Sequence, residues 1–575
     1  MPKKTSNLYY QAVLVVIFLL LLVTRFLGNN YDAGLHLHPD ERWLIMVSDK
    51  LHLFNQLNPD FFAYGSLPLY LLKAATQGLE VLGLAQLDNY NGLLVVGRFL
   101  TSVTDILVAA TVFLITKEVS KRRLTPYLAM LLYALMFFPI QNSNFFIVDN
   151  FLNLFLSLVV LLSIRYLKQP SWLRFSAIVV VVSAMLATKI TSLIVVPVIF
   201  GLLFVKLLTF KTKESQTNKL SRFFVALNLE AWLGFASFFV FMPYGILRHK
   251  QFIQEVIKQV EMGKDPYVFP YTLQYVDTAA YLYPLKNIFL WGAGPIIGGL
   301  GLLGAAILIK RVLTQLKKLP FKKGLTQPTV LIITVYLVYF LVLGQSSVKF
   351  MRYMLPLYPF IALAAALSLE WFLSQAKSSW VVKKTLVVAL LFLAGVWLGA
   401  FLKIYLQPHT RVQASKWILS HVPAGSVLAV EHWDDRLPLF QAARYRYVEL
   451  PLYEVPDDKH KWYLINQRLA QADYLVIASK RLSAPLTKLA DCQRYKRCYP
   501  NTAKYYQNLF LGKRGFIKVA EFDFQPTLDF GLFKITLDDN KADESFSVYD
   551  HPHVIIFKKI PGNSHKTYLN KDANL

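Results

Sequence analysis

A succession of apolar runs, each close to the length that crosses a bilayer, limits this chain to a polytopic α-helical membrane protein. The runs lie near residues 9–27, 93–116, 125–140, 150–163, 175–187, 191–208, 223–244, 288–309, 329–343, 353–373 and 381–402, about eleven spans in all. Composition agrees, because 55% of the residues are hydrophobic and only 17% charged, with a mean hydropathy of +0.41. A net charge of +26 in a soluble chain would point to nucleic acid. Here most of that charge sits in short loops between apolar runs, so the bilayer is the expected partner and nucleic acid is not.

The loops also set an expected topology. Basic residues cluster at Lys117 to Arg123, at Arg165 and Lys168, at 206–222, at 310–323 and at 377–384, in alternate connections. The positive-inside rule makes these cytoplasmic. Residues 1–4 are basic and no small-residue cleavage site follows the first run, so we read an uncleaved first span with the N-terminus inside. The segments 28–92, 141–149, the Thr188/Lys189 break, 245–287, 344–352 and everything after Lys403 then face outward, which describes a multi-pass protein of the cell membrane. Within 28–92, Tyr64-Gly65-Ser66-Leu67-Pro68-Leu69-Tyr70 is amphipathic enough to lie along the interface. The tyrosines of 245–287 suit an interfacial belt or a sugar-binding lid.

Residues 1–403 form the membrane domain in this reading, and 404–575 a separate outer domain. A helix over 414–421 and short strands at 426–430, 474–478, 516–522 and 554–558 make that domain a small α/β unit. Its His551 and His553 read as surface residues. Cys492 and Cys498 are the chain's two cysteines. One disulfide in an oxidising compartment and two small buried thiols both remain open, while zinc lacks a second Cys or His pair at finger spacing. The polar linker at 211–220 is short, and no internal repeat is visible.

Several polar residues stand where chemistry needs them. His38-Pro39-Asp40-Glu41 follows the first span, and Pro39 suits the start of a helix over 41–48 whose N-terminus would hold both carboxylates. A solvated helix start explains the pair equally well on spacing alone. No cofactor is certain, and a divalent metal stays open. A divalent metal would be held only by His36 and His38 with Asp40, at alternate positions of an extended strand. Asp149 opens an apolar run, where it caps a helix or needs a partner in a polar cavity. Lys189 interrupts two apolar runs with no acid near it in sequence, and either snorkels to the interface or meets an anion. With Lys349 and Arg352, outward by parity, it supplies cations at the depth of a lipid phosphate. Arg98 is a further phosphate candidate, and Asp105 pairs either with it or with another helix.

These features together resemble a known family. The basic start and first span, His38 to Glu41, the stretch 144–155 with Asp149, the Ala187-Thr188-Lys189 break and Arg352-Tyr353-Met354-Leu355-Pro356-Leu357-Tyr358-Pro359 are similar to the dolichyl-phosphate-mannose-protein mannosyltransferase superfamily. The similarity covers about residues 8–400 and extends to the bacterial aminoarabinose transferases of lipid A. It implies a GT-C membrane fold and an inverting hexosyl or pentosyl transfer from a polyprenyl-phosphate donor. The acceptor would be a protein, lipid or glycan on the outer face. In that reading Asp40 is the base, Glu41 the runner-up and Asp149 the third carboxylate, while Lys189, Lys349, Arg352 and Arg98 serve the donor phosphate. Where the mannosyltransferases carry a His-Pro-Pro-type stretch and the aminoarabinose enzymes a Lys-Pro-Pro-type one, this chain has Tyr64 to Tyr70, so the substrates do not carry over. The alternative is a transporter or flippase of lipid-linked sugars, which would show repeated halves and paired broken helices. A membrane-anchored binding protein whose outer domain does the work is a third reading.

Overall fold

The computed structural model describes residues 3–208, 216–375 and 379–561. Residues 1 and 2 of the basic start, 211–215 of the polar linker and Lys377 lie outside them. The chain divides into two compact units. The first holds Met1–Asn30, His38–Glu261 and Ala279–Leu402; the second holds Tyr31–Leu37, Met262–Thr278 and Lys403–Leu575. The second unit therefore takes in two short pieces from segments between expected spans, as well as everything after Leu402.

The helices begin with α1 (Lys3–Phe26), α2 (Pro39–Asp49), α3 (Leu67–Val81), α4 (Tyr90–Val119), α5 (Thr125–Ala134), α6 (Phe137–Ser143), α7 (Val148–Lys168), α8 (Trp172–Leu186) and α9 (Val196–Leu208). They continue with α10 (Gln216–Phe241), α11 (Pro243–Leu247), α12 (His249–Lys264), α13 (Leu282–Asn287), α14 (Pro295–Lys318), α15 (Phe321–Leu325), α16 (Pro328–Gly344), α17 (Tyr358–Ser374) and α18 (Trp380–Leu402). Among the described residues, 7 stretches of helix are long and apolar enough to cross a membrane: Leu8–Phe26, Tyr90–Val119, Val148–Lys168, Phe224–Phe241, Pro295–Lys318, Met351–Ser374 and Trp380–His421. The shorter apolar helices Thr125–Ala134, Trp172–Leu186, Ile190–Lys206 and Pro328–Gly344 fall on the other expected spans. The third expected span, 125–140, is broken after Ala134 and resumes as α6.

Depth within this unit follows the polar content of the helices. The apolar window of α7 is 78% buried and that of α10 only 6%, so α7 lies at the centre and α10 faces outward over most of its surface. A buried helix can carry Asp149, Asn150 and Asn153 because neighbouring helices supply the partners that lipid cannot. α14 and α17 pack closely through small residues: a Cβ on Gly304 would stand 1.7 Å from the Ala364 carbonyl oxygen. Arg25 of α1 and Asp105 of α4 form a buried ion pair at 2.8 Å, and Tyr133 donates to the same carboxylate at 2.6 Å. Asp105 thus pairs with another helix and not with Arg98.

The second unit is built on a five-stranded sheet of β1 (Val427–Glu431), β2 (Arg446–Leu450), β3 (Tyr474–Ile477), β4 (Phe516–Phe522) and β7 (Val554–Lys559), in the order β2-β1-β3-β7-β4. β2 and β3 run parallel to β1, whereas β7 is antiparallel to β3 and β4. Alternating residues face two helical layers. Leu428, Val430, Val476 and Ile556 meet Ala414 and Ile418 of α19 (Thr410–His421). Ala429, Leu475, Ile477 and Phe557 meet α20 (Lys459–Gln471), α21 (Ser483–Lys488) and α22 (Pro500–Phe510). The sequence reading found four of these strands but not β2, whose Arg-Tyr-Val-Glu-Leu run mixes polar residues, nor the hairpin of β5 (Thr527–Asp529) with β6 (Lys534–Thr536). Cys492 and Cys498 are joined in a disulfide between α21 and α22.

Candidate active site

Asp40 sits in the first turn of α2, and the sequence explains how that turn is held. Pro39 occupies the first helical turn, where its missing N–H costs nothing, and His38 caps the helix by accepting from the Glu41 N–H at 3.4 Å. The adjacent carboxylates then point apart, as successive residues of a helix must. Glu41 is fully buried and binds Arg98 through two bonds, of 2.9 and 2.6 Å, and its Oε1 also accepts from the Phe146 N–H at 2.8 Å. Arg98 spends a further donor on the Asn29 carbonyl oxygen at 2.9 Å. The structure therefore joins Glu41 and Arg98 to each other.

Asp40 faces a different group. One carboxylate oxygen pairs with the Arg352 guanidinium, and the other accepts from the Tyr64 hydroxyl at 3.1 Å. Arg352 stands in the 3-10 turn Met351–Leu357 ahead of α17, with its Nε 4.0 Å from Asp149 Oδ2. Asp149, in the first turn of α7, accepts from Lys189 Nζ at 2.7 Å. Lys189 lies in the break after α8, and its ammonium stands 4.4 Å from the Tyr353 ring centre. Two carboxylates and two cations from four distant parts of the sequence thus alternate along one chain of contacts. Their side chains are 2% exposed at Asp149 and 10% at Lys189 and Arg352, against 25% at Asp40. Asp40 is the member that an incoming group can reach. Burial alone would raise its carboxyl, but Arg352 foremost, then His38 and Tyr64, hold it below the usual carboxylate range.

The Tyr64 to Tyr70 stretch is tied by backbone bonds to the break that carries Lys189. Gly65 N–H donates to the Thr188 carbonyl oxygen at 3.0 Å, and Leu67 N–H to that of Ala187 at 3.1 Å. A Cβ on Gly65 would lie 1.9 Å from the Ala187 oxygen, so only glycine allows so close an approach. This corrects the reading of the stretch as interfacial, since residues 65–69 are buried. Sequence reasoning noticed Tyr64 as a departure and missed it as a neighbour of Asp40; a tyrosine next to a glycine carries no signal of where its hydroxyl points.

Lys349 is buried three residues before Arg352, and its ammonium donates to the Ser347 carbonyl oxygen at 3.3 Å. His36 falls in the second unit and His38 in the first. Among the described residues, no three His, Cys, Asp or Glu side chains are grouped where they would share a metal ion.

Residues 87–243, which carry Asp149 and Lys189, match the sequence model of the dolichyl-phosphate-mannose-protein mannosyltransferase family. The oligosaccharyltransferase of Archaeoglobus fulgidus, in its apo form, is similar over 86% of this chain and 72% of that one, at a TM-score of 0.50 and 12% identity. The chain has the GT-C fold. ArnT from Cupriavidus metallidurans, solved with undecaprenyl phosphate, is similar over 98% of this chain and 100% of that one, at a TM-score of 0.41 and 13% identity. The mycobacterial arabinofuranosyltransferase AftD covers 97% of this chain and 40% of its own, at a TM-score of 0.35 and 14% identity. No curated protein matches the chain in sequence. The protein is thus a membrane protein of GT-C architecture, related to membrane glycosyltransferases.

Proposed function

We propose that this GT-C protein transfers a sugar, with inversion, from a polyprenyl-phosphate donor to an acceptor hydroxyl on the outer face of the cell membrane. The observation that carries the reading is the alternation of Asp40, Arg352, Asp149 and Lys189, with one carboxylate open to an approaching group. Arg352 and Lys189 are neutralised by carboxylates in this state. A donor phosphate would compete for both cations and take up the charge that grows on it as the glycosidic bond breaks. Once Arg352 turns to the phosphate, Asp40 keeps its Tyr64 bond and is released to accept the proton of the acceptor hydroxyl. Asp149 stays behind Lys189 and fixes it.

The solved structures of ArnT bound to undecaprenyl phosphate and of the oligosaccharyltransferase tethered with an acceptor peptide name a lipid phosphate and a peptide. Those names suggest the classes of donor and acceptor to try first. The test is transfer in proteoliposomes supplied with polyprenyl-phosphate sugars and extracts containing candidate acceptors. Mass spectrometry of surface glycans and glycoproteins from cells with and without the gene identifies the product. Asp40→Asn should lower turnover by ~10²- to 10⁴-fold without weakening donor binding, since it also frees Arg352 from its carboxylate. Arg352→Lys keeps the charge but loses the planar fork, and should weaken donor binding instead. Near-normal transfer by Asp40→Asn would refute the assignment.

A further inference from the structure

α12 begins at His249, just beyond the apolar window Phe224–Phe241 and the short α11. It is amphipathic, and none of its residues is buried. Ile253, Ile257 and Val260 recur at i, i+4 and i+7, which places them on one stripe, and each is about half exposed. Lys250 and Glu261 border the stripe and Lys264 ends it, Lys258 is exposed farther round the helix, and Arg248 precedes it. The opposite side of the helix is engaged within the first unit. Gln251 donates to Asp60 at 3.1 Å, Glu255 accepts from the Phe62 N–H at 2.6 Å, and the Phe252 and Phe62 rings meet at 6.2 Å. Two residues beyond Phe62 stands Tyr64, whose hydroxyl holds Asp40.

We infer that the Ile253/Ile257/Val260 stripe rests on an anionic phospholipid leaflet, and that this contact latches the loop carrying Tyr64. An apolar stripe on an exposed helix with more basic than acidic residues, low in overall hydrophobicity and shortly after an apolar window of spanning length, matches the leaflet in both polarity and charge. The bilayer surface, not a protein, is the occupant, because α12 starts within about two helical turns of the end of the apolar window, with only α11 between them. Lipid contact on one side of the helix then fixes Glu255 and Phe252 on the other, and through Phe62 the position of Tyr64. Only the consequence for Asp40 rests on the transfer reading; the docking surface does not.

The test uses the full chain in phospholipid nanodiscs, with nitroxide labels at Ile253→Cys, Gln254→Cys, Ile257→Cys, Lys258→Cys and Val260→Cys taken one at a time. The two natural cysteines are joined to each other and do not compete for label. Oxygen should collide with labels at 253, 257 and 260 more often than a water-soluble nickel chelate does, and the order should reverse at 254 and 258. Equal access of the chelate to all five positions would overturn the docking surface, as would a soluble protein or peptide shielding them in detergent as well as a bilayer does. The oxygen preference should grow by about twofold between phosphatidylcholine and phosphatidylglycerol discs and lose that gain in Lys250→Gln/Lys258→Gln/Lys264→Gln. Equal values in both discs would overturn the anionic leaflet. Ile253→Ser/Ile257→Ser/Val260→Ser should speed hydrogen exchange at the Phe62 amide by on the order of tenfold, with the Gly92 amide, capped by Asn89, unchanged. Unchanged exchange at Phe62 would overturn the latch.

Discussion

Adjacent carboxylates in this chain have opposite fates. Glu41 is committed to Arg98 and the Phe146 amide in a fully enclosed setting, and Asp40 to a charge network with an open side. Glu41→Gln leaves Arg98 buried without its counter-charge, so it should cost about 3–5 kcal/mol of stability. A detergent thermal-shift series should show Glu41→Gln melting well below Asp40→Asn, and equal melting of the two would place Glu41 outside the structural role. A second residue-scale expectation concerns the second unit. Burial pushes Glu431 up to about 8, Asp434 adds to this, and the Tyr506 hydroxyl, donating at 2.6 Å, opposes it. As pH rises from about 4.5 to about 8, the unfolded chain ionises this carboxyl and the folded unit does not, so stability on the order of 5 kcal/mol is lost across that window. His551 was expected at the surface but is enclosed between Asp539 and Asp550. Burial opposes its charge, yet the two carboxylates raise it to about 10, so its stabilisation is complete below about 6.5 and lost towards 10. Between pH 4.5 and 6.5, Glu431 acts without a contribution from His551. Glu431→Gln should flatten the fall of the second unit's melting temperature there, and an unchanged slope would locate the titration elsewhere.

At the scale of elements, short connections and the first turns of helices carry the chemistry. The break after α8, the 3-10 turn before α17, the first turns of α2 and α7 and the Tyr64 to Leu67 stretch each bring one or two groups to the same place. Non-helical backbone at such a depth must find partners, and Gly65 and Leu67 donate to the very carbonyls that the break leaves unpaired. Gly65→Ala forces a methyl onto the Ala187 carbonyl. The strain should cost about 1–3 kcal/mol, and because Tyr64 and Lys189 flank the contact, transfer should fall further than stability. Melting and turnover measured on the same preparation separate the two effects, and normal turnover would show that the loop's position does not matter to Asp40.

For the whole molecule, the eleven-span topology with an outward C-terminal unit is a proposal that a reporter decides. A fluorescent protein that matures only in the cytoplasm should stay dark when fused at Leu575 and light up when inserted in the turn at Leu319 and Pro320 between α14 and α15; a bright C-terminal fusion would reverse the orientation. Apolar length and basic loops were enough to mark the membrane class, and helix-start chemistry at His38 and Pro39 was enough to mark α2, because both depend on residues close together in sequence. The strands with continuous apolar runs, such as β1 and β3, were legible for the same reason, and β2 was not, since its polar residues serve an edge. Partner choice is another matter. That Lys189 meets Asp149 across 40 residues, that Arg352 reaches back 312 residues to Asp40, and that Arg98 belongs to Glu41 and Arg25 to Asp105 follow from how the helices pack. Local sequence determines which segments enter the membrane and which charges must find a partner there; only the tertiary structure decides which partner, because in a low-dielectric interior the nearest opposite charge wins and nearness is set by packing.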